Sequence, residues 1–112
     1  MKVITAIIRP DKLDGVQQAV IGAGARGITV TDVRGFGQQF GHRAGARPDD
    51  REIVALPKTR IDVVVQDELT GPVTDVIAKA AHTGIIRDGK IWVCPVDGAL
   101  RVRTGEHGTD AV

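Results

Sequence analysis

The stretch KVITAIIRPDKLDGVQQAVIGAGARGITVTDVRGF, residues 2–36, decides the fold because the period of its apolar residues changes twice. Residues 2–8 form a short run rich in β-branched side chains, which predicts a strand. The following apolar residues recur at helical spacing after Pro10 and Asp11: Leu13, Val16, Val20 and Ile21. Glycines 22 and 24 end this helix, and the alternation in residues 27–36 predicts a second strand.

A third strand, a second helix and two further strands follow along the chain. TRIDVVVQ, residues 59–66, predicts strand three, and Asp67 is a candidate N-cap for the next helix. The apolar stripe of that helix consists of Leu69, Val73, Val76, Ile77 and Ala80. KIWVCPV, residues 90–96, predicts strand four, and ALRVRT, residues 99–104, predicts a short fifth strand.

The order β-α-β-β-α-β is typical of the ferredoxin-like arrangement, an α+β fold with an antiparallel four-stranded sheet and both helices on one face. We therefore predict one ferredoxin-like domain over residues 1–112, with a short C-terminal strand added. The helices leave the second sheet face uncovered, and Val64 adds an apolar group to it. Such a face favours burial against another subunit, so we expect an oligomer.

Composition narrows the functional classes. The formal net charge of +1 gives no field that would recruit nucleic acid or anionic lipid. The chain has three aromatic residues and no tyrosine, which argues against a platform for stacking RNA bases. A single cysteine suits a reducing compartment, and the short apolar run before Arg9 is neither a signal peptide nor a membrane span. These features predict a cytoplasmic protein of bacterial type.

Two glycine motifs resemble phosphate-binding loops in the wrong context. GAGARG, residues 22–27, fits the dinucleotide pattern, but it joins a helix to a strand, which reverses the required order. GIIRDGKI, residues 84–91, fits a Walker loop only in part, because Ile91 stands where Ser or Thr should bind magnesium. The second motif still offers backbone N–H groups and Lys90 to an anion, or it is a helix cap with a solvated lysine.

Cations near the C-terminus favour an anion site. If LRVRT forms a strand, Arg101 and Arg103 lie side by side on one face. Two adjacent guanidinium groups repel unless an anion or a carboxylate lies between them. Asp62 or Glu106 could supply a carboxylate; alternatively, a polyphosphate binds there, with Lys90 as a third cation.

The stretch GFGQQFGHRAGARPDDREIVALPK, residues 35–58, is too long for an ordinary connection in a small domain. Loops beyond about 12–15 residues are commonly functional or disordered. We therefore expect this polar, glycine-rich connection to carry part of the function.

Several separated motifs together resemble the PII signal transduction proteins. They are GFGQQFGH leading to LPK, then DGKIWV and RVRTGE, and they lie in the order and register of that family along nearly the whole chain. The resemblance implies a homotrimer of ferredoxin-like subunits with an ATP or ADP site in each cleft between subunits. It also implies a non-enzymatic regulator and a long effector loop over about residues 37–57.

The resemblance implies that two subunits share each nucleotide site. One subunit would contribute Ile7, Gly35, Gly37, Gln38, Val64, Arg87, Asp88, Gly89 and Lys90. Its neighbour would contribute Gly27, Ile28, Thr29, Asp62, Arg101 and Arg103. Adenine would lie in the apolar part of the cleft, while Lys90, Arg101 and Arg103 would hold the phosphates.

In this family Mg-ATP creates a site for 2-oxoglutarate. The resemblance implies that the side-chain oxygen of Gln39 binds Mg²⁺, that Lys58 pairs with a carboxylate of the keto acid, and that Arg9 lies nearby. Gln39 and Lys58 lie near the ends of the long loop, which would change conformation with the bound effector. The loop would regulate a partner protein, such as an ammonium transporter, a metabolic enzyme or a regulator, without binding nucleic acid or inserting into a membrane.

Four departures from the family pattern bear on function. The loop lacks the tyrosine that is nucleotidylylated in many members, and residues 46–51 read ARPDDR. Gln38 replaces a common arginine, and Ile85 replaces the lysine of the following turn. Arg87 stands where glycine permits positive φ, so it either crowds the pocket or supplies a replacement cation.

The leading hypothesis is a sensor of adenine nucleotides and 2-oxoglutarate. Its first alternative is a divergent relative that senses adenine nucleotides only. The second is a slow ATP-hydrolysing enzyme, although no general base is evident beside the phosphate-binding residues.

Overall fold

A computed structural model describes residues 1–40 and 51–112, with side chains described for residues 1–36 and 55–112. The strands are β1 (Lys2–Ile8), β2 (Thr29–Phe40), β3 (Arg51–Val65) and β4 (Lys90–Pro95), and the α-helices are α1 (Leu13–Gly22) and α2 (Thr70–Ala81). Short 3₁₀ helices cover Pro10–Lys12, Asp67–Leu69 and Gly108–Ala111.

The four strands form one antiparallel sheet in the order β2-β3-β1-β4, which is the ferredoxin-like order. The predicted α+β class and the order of its main elements are confirmed. β1 occupies a central position because its short apolar run pairs on both sides: Ile7 lies opposite Arg60 of β3 and Lys90 of β4.

The core lies between one sheet face and the two α-helices. Alternate residues of β1 and β3 point into it, including Ile4, Ile8 and Ile61, which are almost fully buried. Val16 and Val20 of α1 and Val73 and Ile77 of α2 complete it from the helix side. Each fully buried aliphatic side chain of this kind stabilises the fold by roughly 1.5–3 kcal/mol.

The two α-helices pack on the core side, so neither of them covers the opposite sheet face. Val64 and Trp92 lie on this open face and remain 39% and 38% exposed. Between them, Asp62 accepts hydrogen bonds from Thr5 Oγ1 at 2.7 Å and from Arg60 Nε at 3.0 Å. The Arg60 guanidinium lies 6.0 Å from the centre of the Trp92 ring.

The predicted fifth strand is wrong. Residues 102–104 form a turn rather than a strand, and Leu100 forms an isolated bridge with His107. The Gly105 N–H donates to Arg101 O at 2.8 Å, and the Arg101 N–H donates to Glu106 O at 2.9 Å. Glycine supports this turn because Gly105 has a φ of +75°. We call residues 99–108 the C-terminal hairpin.

The long connection also differs from the prediction. Its described ends continue β2 to Phe40 and β3 from Arg51, so residues 37–40 and 51–57 are strand rather than loop. The antiparallel pairing of β2 with β3 runs without a break from Thr29 opposite Asp62 to Phe40 opposite Arg51. The rest of the predicted loop, residues 41–50, lies outside the described residues.

The N-cap of α2 differs from the predicted one. Asp67 does not cap this helix, whose N-cap position is Leu69. The Asp67 carboxylate instead accepts a hydrogen bond at 2.9 Å from the amino group of Met1, because β1 begins beside it.

Candidate functional site

An open cavity of about 530 Å³ lies at the end of the sheet where β1 begins. Six of the residues predicted for the nucleotide site line it: Gly27, Ile28, Thr29, Asp62, Val64 and Arg101. Gly27 and Ile28 precede β2, and Thr29, the first residue of β2, pairs with Asp62 of β3. The cavity is therefore built by strand pairing between residues that are far apart in the sequence.

One placement in this cavity differs from the grouping that the resemblance implied. Val64 lies with Asp62 and Thr29, not with Ile7 and the turn before β4. The reason is the pairing of β1 with β3, which places Val64 opposite Val3 at the beginning of β1.

The Asp62 carboxylate links the cavity to the open face. Burial raises its pKa, but hydrogen bonds from Arg60 and Thr5 outweigh this effect and leave the pKa below its ordinary value. Asp62 is therefore ionised at neutral pH and already has partners within the chain.

Arg101 and Arg103 do not lie side by side, because the hairpin turns between them. Arg101 lines the cavity, and its Nη1 donates to Glu106 Oε1 at 3.1 Å. Arg103 is exposed and does not line that cavity. Within the chain, one of the two carboxylates considered from the sequence, that of Glu106, therefore pairs with Arg101.

A second group of predicted residues lies at the other end of β1. Ile7, Asp88, Gly89 and Lys90 line a smaller cavity of about 250 Å³ beside the end of α2. Ile7 and Lys90 are paired across β1 and β4, whereas the first cavity lies toward the beginning of β1. The chain thus keeps the two predicted halves of the site apart.

Asp88 anchors the turn over residues 83–89. Its carboxylate accepts hydrogen bonds from the backbone N–H groups of Thr83 and Gly84, each at 2.9 Å, and from Arg9 Nε at 3.1 Å. The Thr83 hydroxyl also donates to it. These donors, chiefly those of Thr83, hold the pKa of Asp88 well below its usual range.

Asp88→Asn should therefore lower the free energy of unfolding at pH 7, and this free energy should then decrease less between pH 7 and pH 3 than it does in wild type. Because folding depresses this pKa, the stabilisation is complete above the unfolded carboxyl pKa of about 4 and is lost as the pH falls further. Urea unfolding at pH 7 and pH 3 measures both effects. Asp75→Asn, an exposed carboxylate on α2, is the control, and equal acid sensitivity in wild type and Asp88→Asn would contradict the assignment.

The turn approaches β1 closely. A Cβ at Gly89, whose φ is +98°, would lie 1.7 Å from the Ile7 carbonyl oxygen. Two residues earlier, Arg87 has a φ of +78°, a conformation that L side chains adopt at a cost. The prediction that glycine would suit position 87 thus has a direct conformational basis.

Three cationic residues, Lys58, Arg9 and Arg87, lie close together at the turn over residues 83–89. Lys58 Nζ donates to the Arg87 carbonyl, and Arg9 Nη2 donates to the Ile86 carbonyl at 2.6 Å. Burial, together with the charges of Arg9 and Arg87, lowers the pKa of Lys58 despite the opposing charge of Asp88. Gly35 contributes to the crowding, since a Cβ there would lie 3.3 Å from Lys58 Cγ.

The remaining predicted residues are in β2. Gly37, Gln38 and Gln39 pair with residues 54, 53 and 52 of β3, and the side chains of both glutamines lie outside the described residues. The metal-binding role of Gln39 therefore stays a prediction.

Sequence reasoning missed several residues of the two cavities. Arg26, Ala99 and Val112 line the larger cavity, and Thr83 anchors the turn beside the smaller one. Only Thr83 had a local signal: a threonine and a carboxylate five residues apart, flanking glycines, suit a side chain that caps backbone N–H groups.

These observations define the class of the protein: a small ferredoxin-like α+β domain with an open cavity, lined by both apolar and charged residues, toward each end of its central strand β1. The family profile described as "Nitrogen regulatory protein P-II" matches residues 1–106. The chain belongs to this family of signal-transduction regulators.

Individual relatives span nearly the whole chain. A "Nitrogen regulatory protein P-II 2" of Methanothermobacter thermautotrophicus is 51% identical over 112 residues, which are 100% of this chain and 97% of the relative. A "Nitrogen regulatory protein P-II" of Azospirillum brasilense is 49% identical over the full length of both chains. A "Nitrogen regulatory protein GlnK" of Escherichia coli K12 is 45% identical over 95% of each chain. These relatives are named as regulatory proteins.

Among the described residues, no helix combines the length and the apolar character needed to cross a membrane.

Proposed function

We propose that the protein is a non-enzymatic sensor that binds ATP or ADP in clefts between the subunits of a homotrimer. It regulates a partner protein through the connection over residues 37–57. Family membership supports the regulatory role, and the two cavities support the ligand class.

The observation that carries this proposal is the clustering of six predicted residues in one open cavity. Gly27, Ile28 and Val64 provide small or apolar surface that suits a purine ring, and Arg101 provides a guanidinium for a phosphate. Lys90, another of the three predicted phosphate-binding cations, lies at the far end of β1 in the same chain. A second subunit would supply the turn that carries it.

The open face supports assembly. It offers Val64 and Trp92 as apolar surface, while the central charges of Arg60 and Asp62 are already paired within the chain. Pairing lowers the desolvation penalty of covering these charges with another subunit. The homotrimer would thereby bury the face that the helices leave open.

We assign the binding of magnesium and 2-oxoglutarate to the other end of the site. The described residues hold no group of three His, Cys, Asp or Glu side chains that could coordinate a metal by themselves. The proposed Mg²⁺ would therefore take oxygen ligands from Gln39, phosphate and the keto acid, and it would neutralise phosphate charge. Lys58 and Arg9, drawn together behind the turn, provide the positive charge that a dicarboxylate needs.

A second candidate is a sensor of adenine nucleotides alone. One observation favours it: Lys58 already donates to the Arg87 carbonyl, and Arg9 is held by Asp88 and the Ile86 carbonyl. A keto acid would have to compete with these contacts.

Calorimetric titration separates the candidates. ATP, ADP and AMP are titrated alone, and 2-oxoglutarate is then titrated with Mg-ATP present. The sensor of both ligands binds the keto acid only with Mg-ATP, whereas the adenylate sensor never binds it. A chain that binds no adenine nucleotide, or that remains a monomer by light scattering, would overturn the proposal.

Arg87→Gly should raise the free energy of unfolding by about 1 kcal/mol, because glycine adopts the positive φ of this position without strain. Urea unfolding followed by Trp92 fluorescence measures the change. Gly22→Ala, at an open site on α1, controls for the effect of a glycine exchange elsewhere. An unchanged or lower stability of Arg87→Gly would show that the Arg87 side chain makes compensating contacts.

A further inference from the structure

Glu106 is the internal counter-ion of the arginine that lines the larger cavity. Its Oε1 accepts a hydrogen bond from Arg101 Nη1 at 3.1 Å, and both side chains are partly exposed, at 44% and 33%. We propose that Glu106 sets the affinity of this site for phosphate-bearing ligands by occupying Arg101 until a phosphate displaces it. The inference rests on the proposed function, because it concerns the same cavity.

Competition follows from the charges. A phosphate that binds Arg101 must either take the place of the Glu106 carboxylate or lie close to it, and two anions on one guanidinium repel each other. The ligand therefore gains less from Arg101 than it would from an unpaired guanidinium. A nucleoside without phosphate does not contact Arg101 and so does not compete with the Glu106 carboxylate. Glu106 therefore lowers the affinity only for ligands that carry a phosphate group.

The hairpin does not depend on this ion pair for its shape. Three backbone hydrogen bonds close it: Arg101 N–H to Glu106 O, Gly105 N–H to Arg101 O, and Gly108 N–H to Ala99 O at 3.0 Å. The first two measure 2.9 and 2.8 Å, and none of the three uses the Glu106 side chain. Exposed ion pairs also contribute little to stability. Removing the charge of Glu106 should therefore leave Arg101 in place.

The test is Glu106→Gln, which keeps the size of the side chain and one acceptor oxygen for Arg101 and removes the charge. Calorimetry with ATP should show roughly three- to tenfold tighter binding than wild type, since charge-assisted contacts in partly exposed sites are of this strength. Adenosine should bind as it does to wild type. Glu68→Gln, which removes an exposed carboxylate that does not line the cavity, should leave both affinities unchanged.

A double-mutant cycle isolates the pair. In an Arg101→Ala background, Glu106→Gln should have no effect on ATP binding, because the shared guanidinium is gone. If Glu106→Gln binds ATP no more tightly than wild type, the proposed role of Glu106 is wrong, although the proposed function still holds. The role is also wrong if Glu106→Gln tightens ATP binding in the Arg101→Ala background. If wild type and every variant bind no adenine nucleotide, the proposed function fails, and this inference fails with it.

Discussion

Gly89→Ala is expected to lower the free energy of unfolding by about 3 kcal/mol or more, and the melting temperature by about 10 °C or more. The added Cβ would lie 1.7 Å from the oxygen and 2.8 Å from the carbon of the Ile7 carbonyl. These are backbone atoms of the central strand, which is hydrogen-bonded on both sides and cannot move away. The positive φ of +98° adds strain that no rearrangement of side chains removes.

Gly15→Ala is the matched control. A Cβ there meets nothing within 4 Å, and the residue lies inside α1. Alanine should therefore raise the free energy of unfolding by about 0.5–1 kcal/mol through helix propensity. Urea unfolding at one protein concentration, followed by Trp92 fluorescence, compares the two variants. A Gly89→Ala protein as stable as wild type would mean that the turn does not contact β1 as described.

Arg101→Ala should weaken ATP binding by about 10- to 100-fold, the strength of one or two charge-assisted hydrogen bonds. Arg101 is the predicted phosphate-binding cation that lines the larger cavity, whereas Arg103 is exposed beyond the turn. Calorimetry with ATP and with adenosine measures the effect. Adenosine affinity should change little, because the lost contact is with phosphate.

Arg34→Ala controls for the loss of one positive charge. Arg34 is exposed on β2 and does not line the cavity, so ATP affinity should stay within about twofold of wild type. A thermal melt confirms that both variants fold. Equal ATP affinity for wild type and Arg101→Ala would show that the phosphates lie elsewhere in the protein.

The sequence predicted the main elements because their apolar periods are regular. Val16 and Val20 on α1 and Val73 and Ile77 on α2 are buried as their spacing indicated. Ile61 and Val63 alternate along β3, and both are buried on its core face. Ile21 shared the helical spacing of α1 but remains 51% exposed, because it lies at the margin of the apolar stripe.

The C-terminal hairpin was not predictable from the alternation in LRVRT. Alternating apolar and charged residues fit a strand, but a strand also needs a neighbour to pair with. Here Leu100 finds only His107, and Gly105 allows the chain to turn back. Local pattern therefore favoured a strand where backbone hydrogen bonds made a turn.

The residues that line the larger cavity could not be grouped from local sequence pattern. Gly27 and Asp62 lie far apart in the sequence, and only the pairing of β2 with β3 brings their neighbourhoods together. No periodicity connects them, so their grouping came from resemblance to a family. Departures such as Arg87 could be recognised from the sequence, but the contacts of its carbonyl with Lys58 depend on the folded turn.

The ladder between β2 and β3 has a mechanical consequence. Its twelve consecutive pairs run from Thr29, beside the larger cavity, to Phe40, where the undescribed residues begin. At about 3.4 Å per residue, such a ribbon acts as a lever roughly 37 Å long. A rotation of about 10° at the cavity would therefore displace the far end by about 6 Å, so the ladder amplifies a small rearrangement at the cavity into a large displacement beyond Phe40.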